Sequence, residues 1–554
     1  MSKSKEEILW QACTEGDFEV ARKLADDPAV DVNWGDPEKG RTPFYRACFV
    51  GWTSVVEYLM RNPRVDVVQQ QSQRATPFLI ACENGHKEVV SLLLADPRID
   101  PNKPKDTGGT PFFMACQEGH KEVVSLLLAD PRIDPNEKDD GGFTAISIAC
   151  QNGHKEVVSL LLADMNIDPN KADVEGFTPF SVACQNGHKE VVSLLLADPR
   201  MDTHNPKDDG ATPFFMASQN GHKEVISLLL ADPRIDPNMP RDAGATPFFI
   251  ACESGHKEVV SLLLANPRID PNMPRETGAT PFFIACQNGH KEVVSLLLAD
   301  PRVDHNKTKN DGATPFFKAC QKGHKEVVSL LMADPRIDLN KPTNDGAAPF
   351  CMACQNGHKE VVSLLLADPR IDPNRPWKNQ STPLWFASQN GHLVVVQHLL
   401  ASGREIDTRM RSTSNNNTAA EQGRAMGTAA KEATETEEDY ELSKTNGPLC
   451  ADLIDDYERD PEGVRHRLRH RPGPREYFIG HLFALVVFYS DSFVSFNERA
   501  AHSYPRRFFR ITSQLPLEIQ MIICSRAFGS PRDIILSRDS EPSFQLLTRP
   551  TTWL

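Results

Sequence analysis

Cysteine and histidine are the residue types in this sequence whose number and spacing could support chemistry. Closely spaced thiolates and imidazoles bind transition metals, and paired thiols exchange electrons. Ten histidines each follow a glycine, from Gly85-His86 to Gly391-His392. Ten of the 13 cysteines share one position of a regular pattern, namely Cys13, Cys48, Cys82, Cys116, Cys150, Cys184, Cys252, Cys286, Cys320 and Cys354.

The regularity of these positions argues for a structural role. Ser218 and Ser388 fill the cysteine position elsewhere, which indicates a slot for a small residue. Stacked helices lie about 8–10 Å apart, beyond the Cα separation of about 7 Å that a disulfide can bridge. Cys351-Met-Ala-Cys354 has the spacing of a metal or redox pair, but no second pair completes four ligands. We therefore predict no metal and no disulfide.

No catalytic motif accompanies these residues. The sequence contains no glycine-rich phosphate loop followed by lysine, no H-E-x-x-H and no G-x-S-x-G. We predict a non-catalytic protein without a cofactor. The competing class is an enzyme whose site carries no recognisable motif.

Composition narrows the partners and the compartment. The 61 basic and 75 acidic residues leave a net charge of −14, which repels phosphate backbones and argues against nucleic acid. The longest apolar run, Leu482 to Tyr489, is far shorter than the roughly 18 residues of a membrane span. The first residues lack the apolar core of a secretory signal. These features predict an intracellular, cytoplasmic protein in a reducing compartment, with the nucleus left open.

The elements that position the cysteines and histidines come from an internal repeat of 34 residues. Eleven modules follow one another, and we number them by the residue that opens the first helix of each. These residues are Pro43, Pro77, Pro111, Ala145, Pro179, Pro213, Pro247, Pro281, Pro315, Pro349 and Pro383.

Repeat seven shows the expected local structure. Thr246 is placed to cap a helix that begins at Pro247, because proline at the first helical position loses no hydrogen bond. Gly255 is expected to end this helix, since it takes positive φ without penalty. A second helix then starts at His256, and Asn266-Pro267 stops it. The segment after it, with its Pro and Asn turn formers, predicts an extended finger.

The second helix of each repeat is strongly apolar. In repeat seven it carries Val259, Val260 and Leu262-Leu-Leu264. We expect such a helix to be buried on both sides.

This pattern resembles the ankyrin repeat, whose T-P-L-H-x-A and G-H signatures appear here as Thr-Pro-Phe-Phe-x-Ala and Gly-His. The resemblance covers about residues 5 to 406 and implies an all-α solenoid, with a helix-turn-helix and a finger in each repeat. Two departures stand out. The period is 34 rather than 33, with the extra residue in Asp-Pro-Arg-Ile-Asp. The family's histidine after Thr-Pro-Leu, which ties neighbouring repeats together, is here mostly phenylalanine, so we expect apolar contact to replace that tie; these residues are Phe113, Phe215, Phe249, Phe283 and Phe317.

The resemblance also implies a binding surface for one or more proteins, made of finger tips and a concave groove lined by the residues just before Gly-His. The groove residues are a polar ladder, and the alternative is that near-identical repeats record recent duplication without one ligand. The candidate residues of the groove are Gln117, Gln151, Asn152, Gln185, Asn186, Gln219, Asn220, Gln287, Asn288, Gln355 and Asn356, and those of the fingers are Arg241, Arg275, Trp377 and Lys378.

Four segments organise the chain. We predict a capping half-repeat at 1–33, the repeat array at 34–406, a degenerate repeat with an acidic insertion or linker at 407–446, and a small α-helical domain at 447–554.

Two features of the last segment allow more than one interpretation. A basic cluster could contact phosphate or nucleic acid, but we expect it to pair with neighbouring acids; it comprises Arg465, Arg467, Arg469, Arg471 and Arg475. The run Leu515, Pro516, Leu517, Glu518 and Ile519 resembles the start of an F-box, which implies docking to a ubiquitin-ligase linker protein. The same run is also an ordinary start of a buried helix.

Overall fold

The computed structural model describes residues 3–427 and 437–469, without the side chains of 437–440. These residues form α-helices and no strand. The helices are α1 (Lys5–Glu15), α2 (Phe18–Asp26), α3 (Pro43–Val50), α4 (Thr53–Arg61), α5 (Pro77–Glu83), α6 (Lys87–Leu94), α7 (Pro111–Glu118), α8 (Lys121–Leu128), α9 (Ala145–Asn152), α10 (Lys155–Ala163), α11 (Pro179–Asn186), α12 (Lys189–Ala197), α13 (Pro213–Gln219), α14 (Lys223–Ala231), α15 (Pro247–Ser254), α16 (Lys257–Leu264), α17 (Pro281–Asn288), α18 (Lys291–Ala299), α19 (Pro315–Lys322), α20 (Lys325–Ala333), α21 (Pro349–Gln355), α22 (Lys359–Leu366), α23 (Pro383–Gln389), α24 (Leu393–Ala401), α25 (Ala419–Met426), α26 (Glu437–Arg459) and α27 (Pro461–Arg469).

Contacts divide the chain into two units, Met1–Ala353 and Cys354–Leu554. In the first unit the helices form two layers. The first helices of successive repeats pack on one another from α1 to α19, and the second helices do the same from α2 to α20. The all-α repeat architecture predicted from the 34-residue period is therefore confirmed.

The expected helix boundaries of repeat seven are found. The Thr246 hydroxyl accepts a hydrogen bond from the Phe249 amide at 3.1 Å, and Pro247 occupies the first turn of α15. Gly255 ends this helix with a φ of 79°. An added Cβ there would lie 2.6 Å from Nδ1 of His290, which belongs to the next repeat. Glycine is thus required by backbone conformation and by the close approach of the neighbour.

The core runs between the two layers. In repeat seven Phe248, Phe249 and Cys252 of α15 and Val259 and Leu263 of α16 are at most 1% exposed.

The expectation that the second helix is buried on both sides is wrong. Leu262 and Leu264 of α16 are half-buried, and Lys257, Glu258 and Ser261 are exposed. Each second helix packs on the first helix of its own repeat and on neighbouring second helices. Its remaining side, which carries Lys257, Glu258 and Ser261, faces solvent, so the helix is not covered all round.

The fingers are tight turns closed by backbone hydrogen bonds. The Arg275 amide donates to the Ala279 carbonyl at 2.9 Å, and the same bond recurs from Lys207 to Ala211 and from Arg241 to Ala245. Neighbouring tips are also joined, since the Glu276 amide donates to the Ala243 carbonyl at 3.1 Å. Within the described residues, strand-like pairing is confined to one bridge between Lys138 and Thr144.

The segment that holds the extra residue of the period joins one repeat to the next. The Asn272 side chain donates to the Arg302 carbonyl at 2.7 Å and accepts from the Asp304 amide at 2.8 Å. Asn136, Asn170, Asn238 and Asn306 make the same pair of bonds. The segment with the added residue therefore takes part in hydrogen bonds that join neighbouring repeats at this edge of the stack.

The second unit contains the longest helix of the described residues, α26, with 23 residues. Here α25 packs on α23 and α26, and α27 packs on α24 and α26. Gly423 and Gly447 allow α25 and α26 to approach closely, because a Cβ on Gly447 would lie 2.6 Å from the Gly423 carbonyl oxygen. The helix α26 runs through residues 446 and 447, where we predicted a domain boundary. That boundary stays a prediction, and residues 470–554 lie outside the described part of the chain.

Candidate functional site

The predicted ladder residues lie at the ends of the first helices. We call this surface the first-helix face. Its glutamines Gln117, Gln151, Gln185, Gln287 and Gln355 are half-buried, and Gln219 is exposed.

The backbone carbonyls of the ladder glutamines accept hydrogen bonds from the neighbouring repeat. The ring of His188 donates from Nε2 to the Gln151 carbonyl oxygen at 2.8 Å, and His222 does the same to Gln185 at 2.7 Å. Eight histidines in the first unit make this bond at 2.7–2.9 Å. The Gly-His histidines therefore hold neighbouring repeats together, and they are distinct from the histidine after Thr-Pro-Leu that phenylalanine replaces.

The ladder asparagines make one of two kinds of structural hydrogen bond. Asn152 and Asn288 donate to carbonyls of the preceding repeat, at 2.8 and 2.9 Å. Asn186 and Asn220 instead donate to carbonyls within their own helix, at 3.0 and 3.1 Å. Asn356 is exposed on α21's end. The asparagine amide nitrogens are thus used to support the frame.

The ladder glutamines divide into bonded and free side chains. Gln117 donates to Glu118 at 2.9 Å. By contrast, four carboxamides make no hydrogen bond to another described residue; they belong to Gln151, Gln185, Gln219 and Gln287. In the second unit the Gln355 side-chain oxygen is buried without a partner among the described residues. Four successive or near-successive repeats therefore present unused donors and acceptors.

The predicted finger arginines turn back onto the first helices. The Arg275 guanidinium lies 5.2 Å from the Phe249 ring centre and 3.5 Å from the Glu253 carboxylate. Arg241 lies 5.7 Å from the Phe215 ring centre and 3.4 Å from the Asp209 carboxylate. The structure thus places these two finger arginines against aromatic rings of the first helices and pairs each of them with a carboxylate.

Trp377 and Lys378 lie at a finger of the second unit. The Trp377 amide closes the turn to the Ser381 carbonyl at 3.0 Å, and its half-buried ring lies 5.3 Å from that of Phe386. Lys378 is exposed.

The cysteines are buried and their thiols are unreactive. All twelve cysteines among the described residues are buried. Burial raises the pKa of the Cys351 thiol to about 12, and it raises that of Cys354's repeat equivalents, such as Cys320, well above the usual range. A thiol of raised pKa is a poor nucleophile and a poor metal ligand. Residues 3–427 and 437–469 contain no group of three His, Cys, Asp or Glu side chains that could hold a metal ion.

Two arginines of the basic cluster near the end of the described chain pair with neighbouring acids, as expected. Arg465 lies 2.7 Å from Glu462, and Arg467 lies 3.4 Å from Asp456. Arg469 donates to the Ala401 carbonyl at 3.0 Å. Arg471 and Arg475 lie outside the described residues, as does the F-box-like run 515–519.

One cluster was missed by the sequence reasoning. A cleft of 180 Å³ between repeats one and two is lined by Lys39, Arg46, Phe49, Glu83 and Lys105, among others. A signal for it was available, because Arg46 stands where most later repeats carry an apolar residue, and Phe49 stands where most carry glutamine.

The comparisons with known proteins agree with the fold. The family model described as ankyrin repeats (3 copies) matches in nine overlapping segments that together run from residue 9 to 410. A search of curated proteins finds no match. None of the helices in the described part of the chain has the length and apolarity to cross a membrane.

Ankyrin repeats are protein–protein interaction modules and are typically non-catalytic. The model match spans most of the chain, and the paired helices, glycine turns and fingers have the geometry of that repeat. The chain belongs to the ankyrin-repeat family.

Proposed function

We propose that this chain is a non-catalytic scaffold that binds protein partners through its fingers and the groove of its first helices. The observation that carries the proposal is the set of free carboxamides on the first-helix face. Around them, histidine, asparagine and arginine side chains are engaged in holding repeats together. These four glutamines are polar groups of the first-helix face that remain available to a ligand.

The chemistry of the ladder suits a polypeptide. A carboxamide both donates and accepts hydrogen bonds, as a peptide group does. Packed helices lie about 8–10 Å apart, and an extended chain rises about 3.3 Å per residue. One glutamine per repeat can therefore meet about every third residue of an extended segment.

The test is a proximity-labelling comparison in cells with two fourfold variants. In the ladder variant Gln151, Gln185, Gln219 and Gln287 are replaced by alanine. The control variant replaces exposed serines on the second helices of the same repeats, namely Ser159, Ser193, Ser227 and Ser295.

We expect labelled proteins to be lost with the ladder variant and retained with the control. Equal labelling by both variants, with the chain folded, would contradict the use of the first-helix face. Turnover of a metabolite by the purified chain, with no labelled partner, would favour the enzyme class.

The alternative function is a substrate adaptor of a ubiquitin ligase. It is supported by the sequence of residues 515–519 alone. Replacing Leu517 and Ile519 by lysine should abolish recovery of a ligase linker protein if these residues dock. If the wild-type chain recovers no such protein, the adaptor function has no support.

A further inference from the structure

The cleft between repeats one and two combines two departures from the repeat pattern. Arg46 occupies the position filled by Ile80 and Met114 in the next two repeats. Phe49 occupies the ladder position of Gln117 and is 37% exposed. Both residues belong to α3, and both line the same cleft.

Arg46 is held in place without being neutralised. Its Cζ lies 4.9 Å from the Trp10 ring centre and 4.7 Å from that of Phe49, and its Nε donates to the Thr14 hydroxyl at 3.2 Å. The two terminal nitrogens make no hydrogen bond or ion pair to a described residue. A planar, pre-positioned guanidinium with free terminal N–H groups is suited to bind a carboxylate with two parallel bonds.

The charges around Arg46 favour an anion. Lys39 and Lys105 make no ion pair with any described residue, and Glu83 is the carboxylate among the lining side chains. Arg41 is already paired with Asp36 at 2.8 Å, so it does not add to the free charge. The cleft is thus a positive site on a chain whose net charge is −14.

We propose that this cleft binds an acidic peptide segment of a partner protein, with a carboxylate on Arg46 and an adjacent apolar side chain on Phe49. The proposal rests on the function proposed above and adds the chemistry of the ligand and its place. Glu83 makes a singly charged carboxylate a better fit than a phosphate dianion, because repulsion rises with the charge of the ligand. The exposed ring of Phe49 offers apolar contact beside the cation.

The test uses fluorescence anisotropy with the full chain and a labelled peptide of alternating Glu and Phe. A peptide with Gln in place of Glu and one with phosphoserine in place of Glu serve as comparisons. Arg46→Met installs the residue found at this position in repeat three, and Lys318→Met is its control. Lys318 is the cation at the same position of repeat nine, where it donates to Gln321 at 2.7 Å.

We expect the Glu peptide to bind at least about tenfold more tightly than the Gln peptide, and Arg46→Met to remove about tenfold of that affinity. Lys318→Met should change it less than about twofold. The Arg46→Lys variant keeps the charge but lacks the paired N–H donors of the guanidinium, so it should bind the Glu peptide more weakly than wild type.

Three results would overturn the proposal. They are no binding of the Glu peptide, equal losses in both methionine variants, and tighter Arg46-dependent binding of the phosphoserine peptide. The ladder variant should bind the Glu peptide as wild type does, so a failure here is distinguishable from a failure of the proposed scaffold function.

Discussion

Repeat one and repeat seven place different chemistry on the same helix face. In repeat seven the ladder residue Glu253 pairs with Arg275, whose guanidinium also covers Phe249. In repeat one the ladder residue is Phe49, and the cation Arg46 lies between aromatic rings without a carboxylate. The cation of repeat seven is paired with a carboxylate of the chain, and the cation of repeat one is not.

The difference shows that the contacts which hold a repeat in the stack, its frame, are independent of the side chains on its first-helix face. Both repeats have a threonine cap, a glycine end and a ring of the next repeat against that glycine. Frame contacts use backbone groups and small or aromatic side chains, so the face residues can change without moving the helices.

The largest expected effect comes from breaking the shared frame. Gly51→Ala and Gly255→Ala should each lower the free energy of unfolding by about 1–3 kcal/mol, because both glycines have positive φ and a Cβ would meet the histidine of the next repeat. Denaturant titration should show similar losses in the two variants. Ser254→Ala, at an exposed position, is the control and should lie within about 0.5 kcal/mol of wild type. A large loss at Gly255 alone would show that the frames differ.

The second prediction separates the two arginines. Arg275→Met should destabilise the chain by about 0.5–1 kcal/mol, because it removes a partly exposed ion pair and a ring contact. Arg46→Met should change stability by less than about 0.5 kcal/mol, since the loss of two ring contacts and of the bond to Thr14 is offset by removing a half-buried cation without an acid. Thermal melts at low and high salt provide the measurement, and salt should reduce the Arg275 effect. Equal losses would mean that Arg46 is as structural as Arg275.

Acid should act on the turns that begin with aspartate, a residue that repeats one and seven lack at this position. The Arg336 guanidinium lies 2.6 Å from the Asp334 carboxylate and lowers its pKa to about 2. A lowered pKa means that the charged form stabilises the fold above about pH 4 and that this contribution is lost as the pH falls toward 2.

Asp334→Asn should therefore cost about 0.2–1 kcal/mol at pH 7 and less at pH 2.5. Repeats one and seven carry Asn62 and Asn266 at the equivalent turn. The converse variant Asn266→Asp should add acid sensitivity, measured as the difference in melting temperature between the two pH values. An Asp334→Asn difference that does not depend on pH would contradict the assignment.

The smallest expected effect is on a free ladder side chain. Gln219 is exposed and its carboxamide makes no hydrogen bond to a described residue. Gln219→Ala should leave the free energy of unfolding within about 0.5 kcal/mol of wild type. A matched Asn288→Ala variant removes a bond to the preceding repeat and should cost more. A larger loss at Gln219 would place the glutamine ladder in the frame.

Much of the fold was predictable because its signals are local. Thr246, Pro247 and Gly255 act on the helix that they border, and each takes the predicted role. The period then stacks identical units, so one correct repeat predicts its neighbours. The exposed side of α16 was not foreseen, because apolarity along a helix does not reveal how many neighbours surround it.

Contacts between repeats were the part that the sequence concealed. His188 meets the Gln151 carbonyl from 37 residues away, and Asn272 bonds Arg302 across 30 residues. These partners are backbone groups, which have no residue type to mark them. The free glutamines could be recognised only after the structure had assigned the bonded ones.

The sequence by itself determined the repeat, its helices and its caps, since propensity and turn chemistry act within a few residues. The tertiary structure alone decided which cationic side chains are paired with a carboxylate. Arg275 and Arg46 are the same residue type, but a carboxylate lies 3.5 Å from the first, and the second forms no ion pair with any described residue. Charge pairing falls off with distance in space, and chain distance does not report it.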